Sequence, residues 1–170
     1  MTTSDTDKIV AFLRRVGINV HYSSIETKTF LPGLLIERGQ LLIDREKLKY
    51  PGDLLHEAGH IAVTEPEHRP RLTGDVHQCG HGPAEEMSAI AWSWAASREI
   101  GIHPEVLFHP DGYKGASENY IEAFQLAQGF GYPMLIYWGL TNPPGEPDGY
   151  PKMARWLRAS PSAPQKRSRR

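Results

Sequence analysis

The chain has one cysteine, Cys79, among 170 residues, so an internal disulfide framework is excluded and a reducing compartment fits. Long apolar runs are also missing. The longest near-apolar stretches, 87–96 and 133–140, fall well short of the ~20 residues needed to cross a bilayer. The opening Met-Thr-Thr-Ser-Asp-Thr-Asp-Lys has no apolar h-region, so no secretory signal is read there. Net charge is only −1, which gives no electrostatic reason to expect nucleic acid or a membrane surface as partner. No repeat of solenoid period is visible. The expected location is the cytoplasm.

What is present suffices for a core. A hydrophobic fraction of 39% over this length supports one compact domain, expected over residues 1–160. Residues 161–170 are rich in Pro, Ser, Lys and Arg without a large apolar side chain, and read as a disordered basic tail. Asp5 to Val16 has the apolar spacing of an amphipathic helix, and Ile18 to Ser23 alternates as a strand. Residues 34–44 hold two β-rich runs around a Gly-containing turn, a hairpin pattern. Ile102 to Gly115 reads as loop, Ser117 as the cap of a helix ending at Gly129, Tyr132 to Leu140 as an apolar segment, and Tyr150 to Arg158 as a short helix. The sum is an α+β fold with a small antiparallel sheet packed with helices.

The most informative residues are His-Glu-Ala-Gly-His at 56–60, an H-E-x-x-H pentapeptide. On a helix, positions i and i+4 share a face, so His56 and His60 can grip one metal ion. Glu57 then stands beside the metal, where a carboxylate can act as general base on water. The flanks support a helix. Pro51 suits its first turn, Asp53 its N-cap or dipole end, and Pro66 stops it after about Thr64. Leu54, Leu55, Ala58, Ile61 and Ala62 fall opposite the histidines and can face a core. The chemistry this predicts is zinc-dependent hydrolysis.

Catalytic zinc takes three protein ligands and leaves one position open. The metzincin pattern would need Gly at 63 and His at 66, where this chain has Val63 and Pro66. A glutamate from a following helix is the alternative. Ala84 to Ile100 has that pattern, with Pro83 at its start and Gly101 at its end. Met87, Ile90, Ala91, Trp94 and Ala95 form one apolar stripe, and Ala89, Trp92 and Ala96 another, so the helix is expected to be buried. Glu86 aligns with Ser93 and Ser97 in a thin polar strip and is the preferred third ligand. Glu85 falls among apolar side chains, and both acids also suit a helix N-terminus for its dipole alone.

A hairpin, the His56-Glu57-x-x-His60 helix, and a Glu-x-x-Ala helix start (Glu86 to Ala89) resemble the gluzincin type of zinc peptidase. The family it resembles most closely is the ImmA/IrrE-like one of small bacterial metallopeptidases, over roughly residues 34–100. That family often has Asn directly after the Ala and an aromatic two positions further on; Ile90 and Trp92 stand here. The resemblance implies a zincin-like fold, zinc on His56, His60 and Glu86, Glu57 as catalytic base and a peptide or protein substrate. It also implies a Tyr or His donor for the oxyanion, for which Tyr113 and His109 are candidates, Tyr113 first. The bland reading of Tyr113 is a surface tyrosine.

Asp75, His77, Cys79 and His81 crowd the loop before the Glu86 helix and could make a second metal site or replace the third ligand. Cys79 could instead cap the zinc as a thiolate. Gly80, Gly82 and Pro83 argue against regular structure there, which favours a flexible loop with incidental donors. The rival to an enzyme is a non-catalytic metal-binding regulatory or interaction protein that retains the zincin fold.

Overall fold

The computed structural model describes residues 3–160, and the basic segment 161–170 lies outside the described residues. Helix α1 (Asp5–Val16) forms where its apolar spacing demands. Ser4 caps it by accepting the Asp7 N–H at 3.1 Å, and Gly17, at φ 105°, ends it in the left-handed conformation. Ile9, Val10, Phe12 and Leu13 are buried against the rest of the molecule.

Three short strands follow: β1 (Val20–Tyr22), β2 (Leu34–Glu37) and β3 (Gln40–Ile43). β2 and β3 form the expected antiparallel hairpin, with Leu34 opposite Ile43. The sheet is mixed, however, not antiparallel throughout, because β1 runs parallel to β3 and the order is β1-β3-β2. Residues 23–33 turn the chain round so that β2 runs against β1, and the tight turn at Arg38-Gly39 then slots β3 between them. Central β3 buries Leu41 and Ile43 completely.

Helices α2 (Gly52–Ala62) and α3 (Pro83–Ile100) are the heart of the fold. Leu54, Leu55, Ala58, Ile61 and Ala62 are buried, as the pattern predicts. Pro51 sits at the N-cap, one place earlier than expected, and Asp53 takes the second of its two expected places, in the first turn at the positive dipole end, where its buried carboxylate faces His109. Gly59 of α2 lies directly on the main chain of Ala89 in α3, which brings the two helices to close approach. α3 is buried along both expected stripes except at Met87, which is 43% exposed. Its polar Ser93 and Ser97 are satisfied by donating to the carbonyls of Ile90 and Trp94, both at 2.7 Å.

The second half differs more from expectation. The stretch 102–115 contains a four-residue helix, α4 (Pro104–Leu107), capped by His103, whose Nδ1 accepts the Glu105 N–H at 3.2 Å. α5 (Ser117–Gln125) is capped at Ala116, not Ser117, and stops short of Gly129, with Ala127 at φ 59°. α6 (Tyr132–Tyr137) occupies the apolar segment. Residues 150–158 are not helical. Their backbone is drawn into tertiary pairing: Ala154 N–H donates to Leu140 O at 2.8 Å and Arg158 N–H to Ala62 O at 2.9 Å. This strap closes on the central helices. Trp92 Nε1 donates to Trp156 O at 2.9 Å, and the Arg158 guanidinium donates to Val63 O at 3.1 Å. Among the described residues, no helix is long and apolar enough to cross a membrane.

Candidate metal centre

One turn of α2 separates His56 from His60, and their rings stand nearly parallel, 5.3 Å apart between centroids and 12° from coplanar orientation. α3 enters beside them, and its first turn carries Glu86 onto both imidazoles. Glu86 Oε2 lies 2.9 Å from His56 Nε2, and Oε1 lies 3.0 Å from His60 Nε2. The three residues offer ligand atoms that all lie within 4.8 Å of one another. Two imidazole nitrogens and a carboxylate converging in this way fit a divalent ion of zinc's ligand preferences, held by three residues. Glu85, the alternative on the same helix turn, is engaged elsewhere: its Oε1 accepts the Gly82 N–H at 2.8 Å and secures the helix start.

The loop before α3 is more ordered than its glycines suggest. Val76–Cys79 forms a 3-10 turn, with Asp75 accepting the His77 N–H at 3.0 Å and Gly80, at φ 105°, closing it. That turn brings two further imidazoles to the cluster. His81 Nδ1 is 2.8 Å from His60 Nδ1, and its Nε2 is 3.0 Å from Thr64 Oγ1. His77 Nε2 is 3.3 Å from Glu86 Oε1, while its Nδ1 is 3.1 Å from Asp75 Oδ1. These are ordered contacts, not the incidental donors of a flexible loop. The Asp75…Gly80 spacing, a capping residue and a left-handed stop, was the available signal. Cys79 is exposed, with its Sγ 3.5 Å from Thr73 O, and it lines a separate, smaller cleft rather than the His-His-Glu group.

Burial and proximity set the charges. Burial works to raise the Glu86 carboxyl, but contacts from His56 and His60 outweigh it and hold the group well below the usual carboxylate range. For His56, burial acts to lower the pKa, yet the Glu86 contact prevails and raises it. His60, 1% exposed, is pushed down to about 4, chiefly by desolvation. Glu57 is pushed up to about 7 by its burial. A carboxylate tuned near neutrality is suited to exchange protons with water.

The cluster lies in a cleft of about 1070 Å³, whose walls include Glu57, Met87, Ile90, Tyr113 and Phe130. Tyr113 is a half-buried cleft residue, not a surface tyrosine, and its hydroxyl is 3.4 Å from His56 Nδ1. Desolvation raises its phenol well above the usual range, so the hydroxyl keeps its proton. Tyr113 and Lys114 both adopt positive φ, 57° and 53°, an uncommon pairing for residues with side chains. His109, the other donor candidate, is held by Asp53 Oδ1 at 2.8 Å and stacked on Tyr50 at 3.8 Å between centroids. Both candidates thus have a polar partner, His109 in Asp53 and Tyr113 in His56, the Tyr113 contact being the longer. No protein-family model, curated protein or solved structure matches this chain.

Proposed function

We propose that the chain is a zinc-dependent hydrolase, a metallopeptidase of gluzincin type with a zincin-like fold, similar to the ImmA/IrrE-like family. The observation that carries this reading is the convergence of His56, His60 and Glu86 from two crossing helices, with Glu57 beside them on the floor of a wide cleft.

His56, His60 and Glu86 would hold the zinc, and the ion, when bound, would supply the Lewis acidity that makes water a competent nucleophile near neutral pH. Glu57, with its carboxyl raised to about 7, accepts the proton of the attacking water. It then delivers that proton to the departing amine of a cleaved peptide. Tyr113, protonated and lining the same cleft, donates its hydroxyl hydrogen to the oxygen on which negative charge develops. Tight packing of α2 on α3 holds base and ligands in fixed relation, so little reorganisation is needed during the reaction.

A second reading rests on one contact. His77 Nε2 stands 3.3 Å from Glu86 Oε1, so a small shift of its turn would add a fourth protein ligand. That would close the site and make the metal structural or regulatory.

Elemental analysis of protein purified without chelator, with X-ray absorption to count ligands, separates the readings. One zinc per chain with three protein donors, and peptide cleavage that stops on chelation, is the expected result. Loss of that zinc in Glu86→Ala is expected as well. Four protein donors with no turnover would support the closed site, and absence of metal from the purified protein would overturn both.

A further inference from the structure

Thr64 ends the run of polar contacts around His60, and its hydroxyl fixes the direction of all of them. Thr64 Oγ1 lies 2.7 Å from the carbonyl oxygen of His60, which can only accept, so the single hydroxyl proton is committed there. Toward His81 Nε2, at 3.0 Å, the same oxygen must therefore accept. A neutral His81 ring has one N–H, now placed on Nε2, which leaves Nδ1 as a bare lone pair. That lone pair faces His60 Nδ1 at 2.8 Å, a distance that requires a proton between the two nitrogens. His60 must supply it. His60 is then the Nδ1–H tautomer, and its Nε2 lone pair points at Glu86 Oε1, 3.0 Å away. A nitrogen and a carboxylate oxygen at that distance need a positive bridge between them, either a proton or the metal ion that replaces it.

We propose that His81 is a positioning residue for the metal centre, holding His60 in the one tautomer whose Nε2 can bind the ion. The proposal rests on the metal-site reading given above. Ligating histidines commonly donate their second nitrogen to a carboxylate or carbonyl. Here the acceptor is a neutral imidazole, so His60 is oriented without adding negative charge to the site. His81 reaches its place through the 3-10 turn at 76–79, which couples the grip on the ion to the seating of that turn.

The test compares wild type, His81→Ala and His81→Asn, with folding checked by circular dichroism. Zinc affinity is read by competition with a chromophoric chelator, and the His60 tautomer by long-range proton–nitrogen NMR on zinc-free protein. Ala removes the acceptor, and zinc affinity is expected to fall about 10–100-fold, the usual loss when such an outer partner is removed. Asn restores an acceptor oxygen near the Nδ1 position and is expected to recover most of that loss. In zinc-free wild type His60 Nδ1 is expected to carry a proton, and in the Ala variant the proton is expected on Nε2, toward Glu86. Unchanged zinc affinity in the Ala variant, or a wild-type His60 Nδ1 that carries no proton, would overturn the proposal. Should wild type bind no zinc, the metal-site reading fails by itself, and the NMR measurement still decides whether His81 sets the tautomer.

Discussion

Gly59 has no side chain because Ala89 leaves no room for one: a methyl carbon built on Gly59 would lie 2.6 Å from the Ala89 carbonyl oxygen. The obstacle is main chain of a buried helix, which cannot swing aside as a side chain would.

Gly59→Ala therefore sets two effects against each other. Alanine gains about 1 kcal/mol in helix propensity. Overpacking a rigid contact costs about 1–3 kcal/mol, and a clash with backbone belongs at the upper end of that range. Net destabilisation is expected in urea unfolding. Because the same contact sets the distance from α3 to α2, zinc affinity should fall too. Wild-type affinity in a destabilised variant would show that helix spacing and ligand geometry are independent.

Glu57→Gln is expected to abolish hydrolysis while zinc stays bound, since Glu57 stands outside the ligand group. A second consequence concerns stability. Burial raises Glu57 from 4.5 to about 7, so the folded protein keeps this proton longer than the unfolded chain. Stability from this group is fully present below 4.5 and is lost as pH climbs through 7. Chelated Glu57→Gln, which has nothing to titrate there, should gain on chelated wild type across that window by on the order of 3 kcal/mol. Parallel melting curves from pH 4.5 to about 8 would contradict the buried-acid assignment.

Tyr113→Phe removes a hydroxyl and little else. If that hydroxyl serves the developing oxyanion, kcat should drop about 10²–10³-fold with KM and zinc content nearly unchanged. A rise in KM at constant kcat would instead mark Tyr113 as a substrate-binding wall.

Trp92→Phe keeps the aromatic bulk but deletes the indole N–H that donates to Trp156 O at 2.9 Å. The orphaned carbonyl is expected to cost about 1–3 kcal/mol in denaturant titration. Trp92→Ala should cost about 3–5 kcal/mol, because the fully buried ring also touches Phe12 and Trp156.

The parts legible in the sequence are those whose signal is local and repeated. α1 and the 34–43 hairpin came from periodicity, and α3 from its stripes together with Pro83 and Gly101. Glu86 was singled out by the strip it shares with Ser93 and Ser97, yet both serines donate back to carbonyls of their own helix, so the strip alone did not require a polar partner. The parallel pairing of β1 was not legible, since three residues carry no directional information and the partner is chosen by the crossing of 23–33. Met153, Trp156 and Leu157 imitate helical spacing, but Trp156 is placed by Phe12 at 4.9 Å and Trp92 at 5.6 Å, contacts far off in sequence. His77 and His81 were visible as donors. Their seats were not, because these depend on where the turn docks.

The strap at 150–158 has a consequence for how the molecule comes into being. A ribosome that has delivered the chain through Ile100 has made α2 and α3, with His56, His60 and Glu86 on them, but not the clasp that Trp156 and Arg158 place on those helices. The pair of helices therefore gains these hydrogen bonds only after residues 150–158 have been made, so the last part of the core to form is the last to be synthesised.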